Sequence, residues 1–414
     1  MKNLVPFLLV VLIGCDSRKD SPSYRLVAEY EPTEYVWIPW MEGVIDKSMP
    51  AADPLIIQLC KEVIPYSKVL LWIPDESMIE GIKSRLIKEG IDTARVRFLK
   101  ADPPGATTDV SPVFLTNGNG ELATVDFDWA CYGLTSSKEQ CAEFSDPDFD
   151  IKLAQSLHIP VLAKSSLVWE GGGKENNSKG TLLLVEQHEF QRNPGLSKEE
   201  IEQEFKKKLN IKKIIWLKKG LWEDEYRIEL PGNIWPIGAG AHVDEFCRFV
   251  NDSTIMISYV PEEEKDKDPI TAENYRRMEE NYSILKNATD QDGNSFSIIR
   301  VPVAEHYIFK MNYDDIISYN RSYYPKAKSG DTVNIIAASS YLNFLIVNDA
   351  VITAKYWREG RDEAKRVKDQ QVFDIFTKAF PDKKIIQIDM EGYNNGGGGL
   401  HCLTYNQPFG VTPG

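Results

Sequence analysis

The sequence is poor in the side chains from which metal centres and nucleic-acid surfaces are built. Histidine occurs five times and cysteine six times in 414 residues, with no Cys-x-x-Cys pair. A structural zinc site therefore has no support. Long basic runs are also missing: 48 basic residues face 62 acidic ones, for a net charge of −14. Such a surface repels a phosphate backbone, which sets nucleic acid aside as a partner. It would attract a cationic substrate, although solubility alone accounts for many acidic surfaces. The glycine fingerprint G-x-G-x-x-G of a dinucleotide-binding turn does not occur. Beyond the first fifteen residues, no apolar run is long enough to span a bilayer.

What is present begins with those fifteen residues. Lys2 precedes an almost wholly apolar stretch from Leu4 to Ile13, closed by Leu12-Ile13-Gly14-Cys15. The stretch is about half the length of a membrane-spanning helix, so residues 1–14 read as a signal peptide. The small residue before Cys15 resembles a bacterial lipobox, in which the cysteine is diacylated and becomes the mature N-terminus. Residues 15–25 would then be a polar tether, and paired acyl chains supply the anchoring that one chain cannot. The expectation is an envelope lipoprotein touching the membrane only through its lipid; the plainer alternative is a secretory signal with an incidental cysteine. Cys131 and Cys141 flank a polar loop and would pair in an exported protein. Cys60 lies in an apolar helical pattern, Cys247 follows a strand-like position, and both read as inert core.

One unit recurs: an amphipathic helix, a short polar turn, then a buried strand. Copies end at Ile73, Leu99, Leu217, Val301 and Ile388. Further strands are expected at 113–116, 122–127, 181–185, 254–259 and 342–347. The copies are unevenly spaced, which favours a mixed α/β repeat closing on itself over an open solenoid. Glu262–Asp268 reads as a charged surface loop and Tyr319–Lys328 as a second excursion, with no linker dividing residues 26–409.

Five stretches gather glycine around reactive side chains. The run Gly396-Gly397-Gly398-Gly399 leads through Leu400 and His401 to Cys402, which is expected in a short strand. A thiolate there is a strong nucleophile if nearby charge lowers its pKa. In Gly238-Ala239-Gly240-Ala241-His242-Val243-Asp244, His242 and Asp244 would share one face of an extended strand. The histidine would shuttle protons while the carboxylate holds a cation. Trp169-Glu170-Gly171-Gly172-Gly173 ends a strand in a carboxylate placed to orient His242. Asp109 closes a loop before a strand, and Asn343 is a polar residue within an apolar strand. Singly, each has a plain alternative: a flexible loop, a structural histidine, a turn aspartate.

Together these stretches resemble the agmatine deiminase and bacterial peptidyl-arginine deiminase family of guanidino-group modifying enzymes. His401-Cys402-Leu403-Thr404 after a glycine run, His242-Val243-Asp244, Glu170-Gly171-Gly172 and Ser340-Tyr341-Leu342-Asn343-Phe344 occur in the family's order. Tyr30-Glu31-Pro32 with Trp37 and Trp40, and Gln191-Arg192-Asn193-Pro194 before Ile214–Leu217, are similar to it as well. The resemblance covers roughly residues 26–409 and implies a five-bladed α/β propeller, a pentein of ββαβ modules around a central site. It implies Cys402 as nucleophile, His242 as general acid and base, and Glu170 as partner of the histidine. Asp109 and Asp244 would clamp the guanidinium, with Asn343 beside them, since paired carboxylates match its planar donor array. The substrate would be a small guanidine or a peptide arginine, hydrolysed to a ureido group with release of ammonia. The chemistry that the resemblance implies needs no metal or organic cofactor.

Departures from the family pattern concern the pocket walls. Its tryptophan, one residue, arginine, aspartate run appears as Ala106-Thr107-Thr108-Asp109, after an added Asp102-Pro103-Pro104-Gly105. Ala130 and Cys131 stand where a peptidyl-arginine deiminase uses asparagine and arginine to hold a carboxylate, and Ala241 replaces a usual glycine. Agmatine, arginine and peptidyl-arginine all stay open as substrates. An exported anchor favours external arginine over putrescine synthesis, and the lost arginine points the other way. An amidinotransferase would share the thiouronium intermediate and resolve it with an amine. A non-catalytic guanidinium-binding lipoprotein would need no nucleophile.

Overall fold

The computed structural model describes residues 23–43, 50–103, 105–135, 138–143, 145–316, 321 and 324–411. The signal stretch, Cys15 and most of the tether lie outside these residues, as does part of the Tyr319–Lys328 excursion. Each apolar period of three and four folds as a helix: Ala52–Val63, Ile79–Lys88, Lys198–Leu209, Pro269–Asn287 and Glu363–Ala379. Their ends follow side-chain chemistry. Ser197 and Glu200 form a reciprocal capping box, and left-handed Asn210 stops the same helix. Asp268 caps the next one directly before Pro269, whose missing N–H costs nothing in a first turn. The strands that follow are Lys68–Ile73, Val96–Lys100, Lys213–Leu217, Ser297–Pro302 and Lys384–Asp389.

Five sheets share one topology, an antiparallel pair whose inner strand crosses through a helix to a parallel neighbour. Thr254–Tyr259 pairs antiparallel with Cys247–Asn251 and parallel with Ser297–Pro302. Ala350–Lys355, Thr181–Val185 and Leu122–Asp128 repeat the pattern. In the sheet of Thr33–Pro39 the antiparallel partner is Tyr405–Pro408, from the far end of the chain, and Lys68–Ile73 and Val96–Lys100 continue it in parallel. A separate sheet joins Ile234–Pro236, Thr332–Ile336 and Ile308–Asn312. One apolar cluster runs from Ile56, Val63 and Leu71 to Phe344, Val351, Phe376 and Ile388, so the first and last modules share a core.

The helix–strand units do not map one to a sheet. Those ending at Ile73 and Leu99 lie in the same sheet, so five units fill four sheets. The remaining sheet is crossed by Phe149–Ser156 and Val161–Val168, a unit absent from the sequence reading. That helix is eight residues long and buries only Leu153 and Ala154, too little for a clear period, and Val161 and Leu162 are exposed. Two expected strands are shorter than read, at Leu115–Thr116 and Leu345–Val347. Residues 181–185 and 254–259 form strands with the bounds expected. Cys131 and Cys141 are joined as a disulfide, while Cys60 and Cys247 are buried free thiols. Among the described residues, no helix is long and apolar enough to cross a membrane.

Candidate active site

Connections between modules, not strands, carry the reactive side chains. Cys402 lies in a single helical turn, Leu400–Leu403, rather than in a strand, which starts only at Tyr405. The turn forms because Asn343 Oδ1 accepts the backbone N–H groups of His401 (2.8 Å) and Cys402 (3.3 Å). Asn343 itself sits in a bend before Leu345–Val347, which frees its amide from strand pairing. The glycines are required by contact: a Cβ on Gly399 would meet Asn343 Oδ1 at 2.4 Å. Gly397 is left-handed, and its Cβ would lie 2.0 Å from the Ile237 carbonyl.

His242 and Asp244 do not share a strand face. His242 is extended and opens a 3₁₀ turn, Val243–Glu245, and the strand begins at Cys247. Ala241, at the usual glycine position, is left-handed with φ 66°. Glu170 lies two residues beyond Val161–Val168 and opens the turn Gly171–Gly173. A Cβ on Gly172 would stand 2.6 Å from His242 Nδ1 and 2.9 Å from Asp244 Oδ2. Only glycine lets that turn approach both groups. Asp109 sits in a turn whose chain reaches a strand at Leu115.

The structure thus brings Asp109, Glu170, His242, Asp244, Asn343 and Cys402 together, each almost fully buried. His242 Nε2 and Glu170 Oε2 are 2.8 Å apart, and Arg192 holds Glu170 in a bidentate pair at 2.7 and 2.8 Å. Burial by itself would raise the Glu170 pKa, but Arg192 and His242 outweigh it and hold the carboxyl at about 2. Burial likewise disfavours a charged imidazole, yet Asp109, Glu170 and Asp244 raise the pKa of His242 to about 9. Asp109 Oδ1 lies 3.8 Å from His242 Nδ1 and accepts the Gly172 N–H at 2.8 Å. Burial raises the Asp109 pKa despite His242.

On the other side, Asn343 Nδ2 donates to Asp244 Oδ2 (3.0 Å) and Glu245 Oε1 (2.8 Å) and lies 3.3 Å from Cys402 Sγ. The sulfur is 3.8 Å from Asp244 Oδ2 and 3.9 Å from Glu245 Oε1. Burial, then Asp244, Glu245 and Asp109, push the thiol well above its usual range. These surroundings favour the protonated sulfur. His242 Nδ1 and Asp244 Oδ1 are buried and have no hydrogen-bond partner among the described residues, which suits groups reserved for a ligand. Cys402 and Asp109 open onto a cavity of about 480 Å³ with Trp40, Trp72, Tyr132 and Tyr393 among its walls. Among the described residues, no lysine or arginine lines it.

Sequence reasoning missed the groups that hold these in place. His401 is bound to Asp244 through Nδ1 at 2.6 Å and to Glu29 through Nε2. Burial and Arg248 oppose its charge, but Glu29 and Asp244 raise its pKa to about 9. Asp224 accepts the N–H groups of Ala239 and His242, both at 2.8 Å, and so fixes the glycine-rich approach. His188 packs its ring 4.9 Å from that of His242. Glu29 adjoins a motif that was visible, and Arg192 and His401 lie within such motifs, but their pairing is made between modules and leaves no local signal.

The chain is similar to known proteins in sequence and in fold. The model of the Porphyromonas-type peptidyl-arginine deiminase family matches residues 25–408. The agmatine deiminase of Pseudomonas syringae pv. tomato is 25% identical over 398 residues, covering 95% of this chain and 98% of that one. That of Pseudomonas putida is 24% identical over 404 residues, with 96% and 98% covered. Among solved structures, the agmatine deiminase of Enterococcus faecalis has a TM-score of 0.72 at 23% identity, covering 94% and 96% of the two chains. The agmatine deiminase of C. jejuni reaches 0.67 at 21%, covering 95% and 98%. These two show a common mixed α/β fold. Since the family model spans nearly every described residue, the chain belongs to the Porphyromonas-type peptidyl-arginine deiminase family.

Proposed function

We propose that the protein is a cysteine-dependent deiminase whose substrate is agmatine or a similar guanidine without a free α-carboxylate. The observation that carries this is the cavity: Cys402 and Asp109 lie on its wall, His242 and Asp244 stand behind them, and its charged lining residues, Asp102 and Asp109, are both acidic. A cationic guanidine is attracted there, whereas the carboxylate of free arginine would meet no cation among the described lining residues. The relatives named as agmatine deiminases support the same substrate class.

A guanidinium entering between Asp109 and Asp244 offsets the charge that holds the thiol up, so Cys402 releases its proton to solvent as substrate binds. Sγ adds to the central carbon to form a C–S bond. His242, protonated until about pH 9, gives its proton to the departing nitrogen, and the C–N bond breaks with loss of ammonia. Water then adds to the thiouronium carbon while neutral His242 takes its proton. The C–S bond breaks, the departing sulfur takes up the proton of the added hydroxyl and returns to the thiol, and a neutral ureido product remains. Glu170 keeps His242 oriented and charged through the 2.8 Å contact. A non-catalytic binder has no use for this pairing of thiol and acid, and no observation favours an amine in place of water.

The five like sheets support a five-bladed arrangement around this site, closed by the pairing of Tyr405–Pro408 with Thr33–Pro39. Leu12-Ile13-Gly14-Cys15 supports export and lipid anchoring at Cys15. Ammonia and ureido product measured with agmatine, free arginine and an arginine-containing peptide test the proposal. Turnover should be highest with agmatine and vanish in Cys402→Ala. Equal turnover by both proteins would end the cysteine mechanism.

A further inference from the structure

The segment 131–133 has a costly backbone. Cys131 and Tyr132 are left-handed at φ 50° and 56°, followed by Gly133 at 69°. Residues with a Cβ avoid this region, and such conformations persist only where their surroundings impose them. Three constraints do so here. The Cys131–Cys141 disulfide ties the segment to the helix Lys138–Cys141. Tyr226 donates its hydroxyl to the Tyr132 carbonyl. Gly133 is wedged so closely that a Cβ would stand 2.9 Å from Tyr226 Oη and 3.0 Å from Arg192 Nη1.

The conformation has one result that bears on chemistry. It turns the Tyr132 ring into the wall of the cavity, edge-on to Trp129 at 4.8 Å between ring centres. Tyr132 Oη accepts the Ala106 N–H at 2.8 Å and donates to Asp109 Oδ2 at 3.1 Å. Asp109 therefore has one oxygen on the Gly172 N–H and the other on Tyr132. The Tyr132 carbonyl reaches the other arm of the site, since Tyr226 also receives Arg192 Nη1 at 2.9 Å and Arg192 holds Glu170. One residue thus connects the substrate-side carboxylate with the carboxylate behind His242. The tryptophan and arginine absent before Asp109 leave Ala106 and Thr108, neither of which can orient a carboxylate from the cavity side.

We infer that Tyr132, locked by the Cys131–Cys141 disulfide, is a positioning residue that aims Asp109 at the cationic substrate, and that reducing this disulfide weakens substrate capture. The inference rests on the proposed guanidine site. A hydrogen bond to a charged group, once lost, is worth about tenfold or more in binding. Reduction exchanges one S–S bond for two thiols at the expense of an added dithiol such as dithiothreitol, which is itself oxidised to its disulfide. Cys402 is a free thiol and is left as it is.

The test uses the whole protein and reads KM, kcat and the acidic limb of the pH profile for agmatine. Tyr132→Phe keeps the ring and removes the hydroxyl, so KM should rise about tenfold with a smaller fall in kcat. The acidic limb should move to higher pH, because Asp109 loses a donor that favours its charged form. Dithiothreitol-treated wild type and the Cys131→Ser/Cys141→Ser variant should raise KM similarly, and adding Tyr132→Phe to either should cost little more. An unchanged KM and acidic limb in Tyr132→Phe would overturn the role of Tyr132. A raised KM there with normal KM after reduction would overturn the disulfide lock. If no guanidine is turned over at all, the rate at which 2-chloroacetamidine alkylates Cys402 reads the same capture step. A rate equal in wild type and Tyr132→Phe would then overturn the inference separately from the proposed activity.

Discussion

At the scale of single residues, the site opposes the nucleophile it contains. Cys402 is buried among carboxylates that hold its proton on, so reactivity should depend on the charge of what approaches it. Neutral iodoacetamide should alkylate Cys402 slowly near pH 7.5, and cationic 2-chloroacetamidine should do so at least tenfold faster than their reactivities toward a free thiol predict. A ratio like that of the free thiol would remove substrate-assisted ionisation. Asp109→Asn and Asp244→Asn should each lower kcat/KM well beyond tenfold, because a buried charge pair left half-made costs several kcal/mol. The sign for His242 is equally definite. Its pKa lies above the ordinary 6.5, at about 9, so the stabilisation from its charge is complete below about pH 6.5 and disappears as pH rises through about 9. Ammonia release in a single turnover should fall across that range. In Glu170→Gln the fall should begin nearer neutrality, and an unmoved alkaline limb would show that Glu170 does not set the proton affinity of His242.

At the scale of elements, the sequence was readable wherever a local period or motif suffices. The long helices and the strands Thr181–Val185 and Thr254–Tyr259 lie where apolar spacing put them. The glycine runs marked the right loops because close contact leaves a compositional trace. The geometry of those loops was not readable: Cys402 and Asp244 were assigned to strands, yet both lie in helical turns made by long-range bonds, such as those from His401 and Cys402 to Asn343. Glu29, His401 and Asp224 were unrecognised for the same reason, since their partners lie in other modules. Gly399→Ala tests how closely the loop is fitted. Its Cβ would press on Asn343 Oδ1, so the variant should lose about 1–3 kcal/mol of stability. It should lose more than tenfold in turnover by displacing the turn that carries Cys402, and wild-type melting and activity would contradict the tight approach.

At the scale of the whole molecule, the N-terminal stretch makes a prediction independent of the site. Cys15→Ser should abolish lipidation and move the protein from the membrane fraction to the soluble one, with turnover unchanged. A wild-type protein that carries no fatty acid would dispose of the anchor. The pairing of Tyr405–Pro408 with Thr33–Pro39 bears on timing. A chain that emerges N-terminus first makes its opening sheet early, but that sheet lacks an edge until the last strand arrives, and such non-local pairing is slow. Cys402 lies three residues before this strand, in the turn pinned by Asn343. The nucleophile is therefore assembled at about the moment this last strand pairs, so a chain cut short before Tyr405 holds no working thiol, and reactivity appears only once Tyr405–Pro408 has docked on Thr33–Pro39.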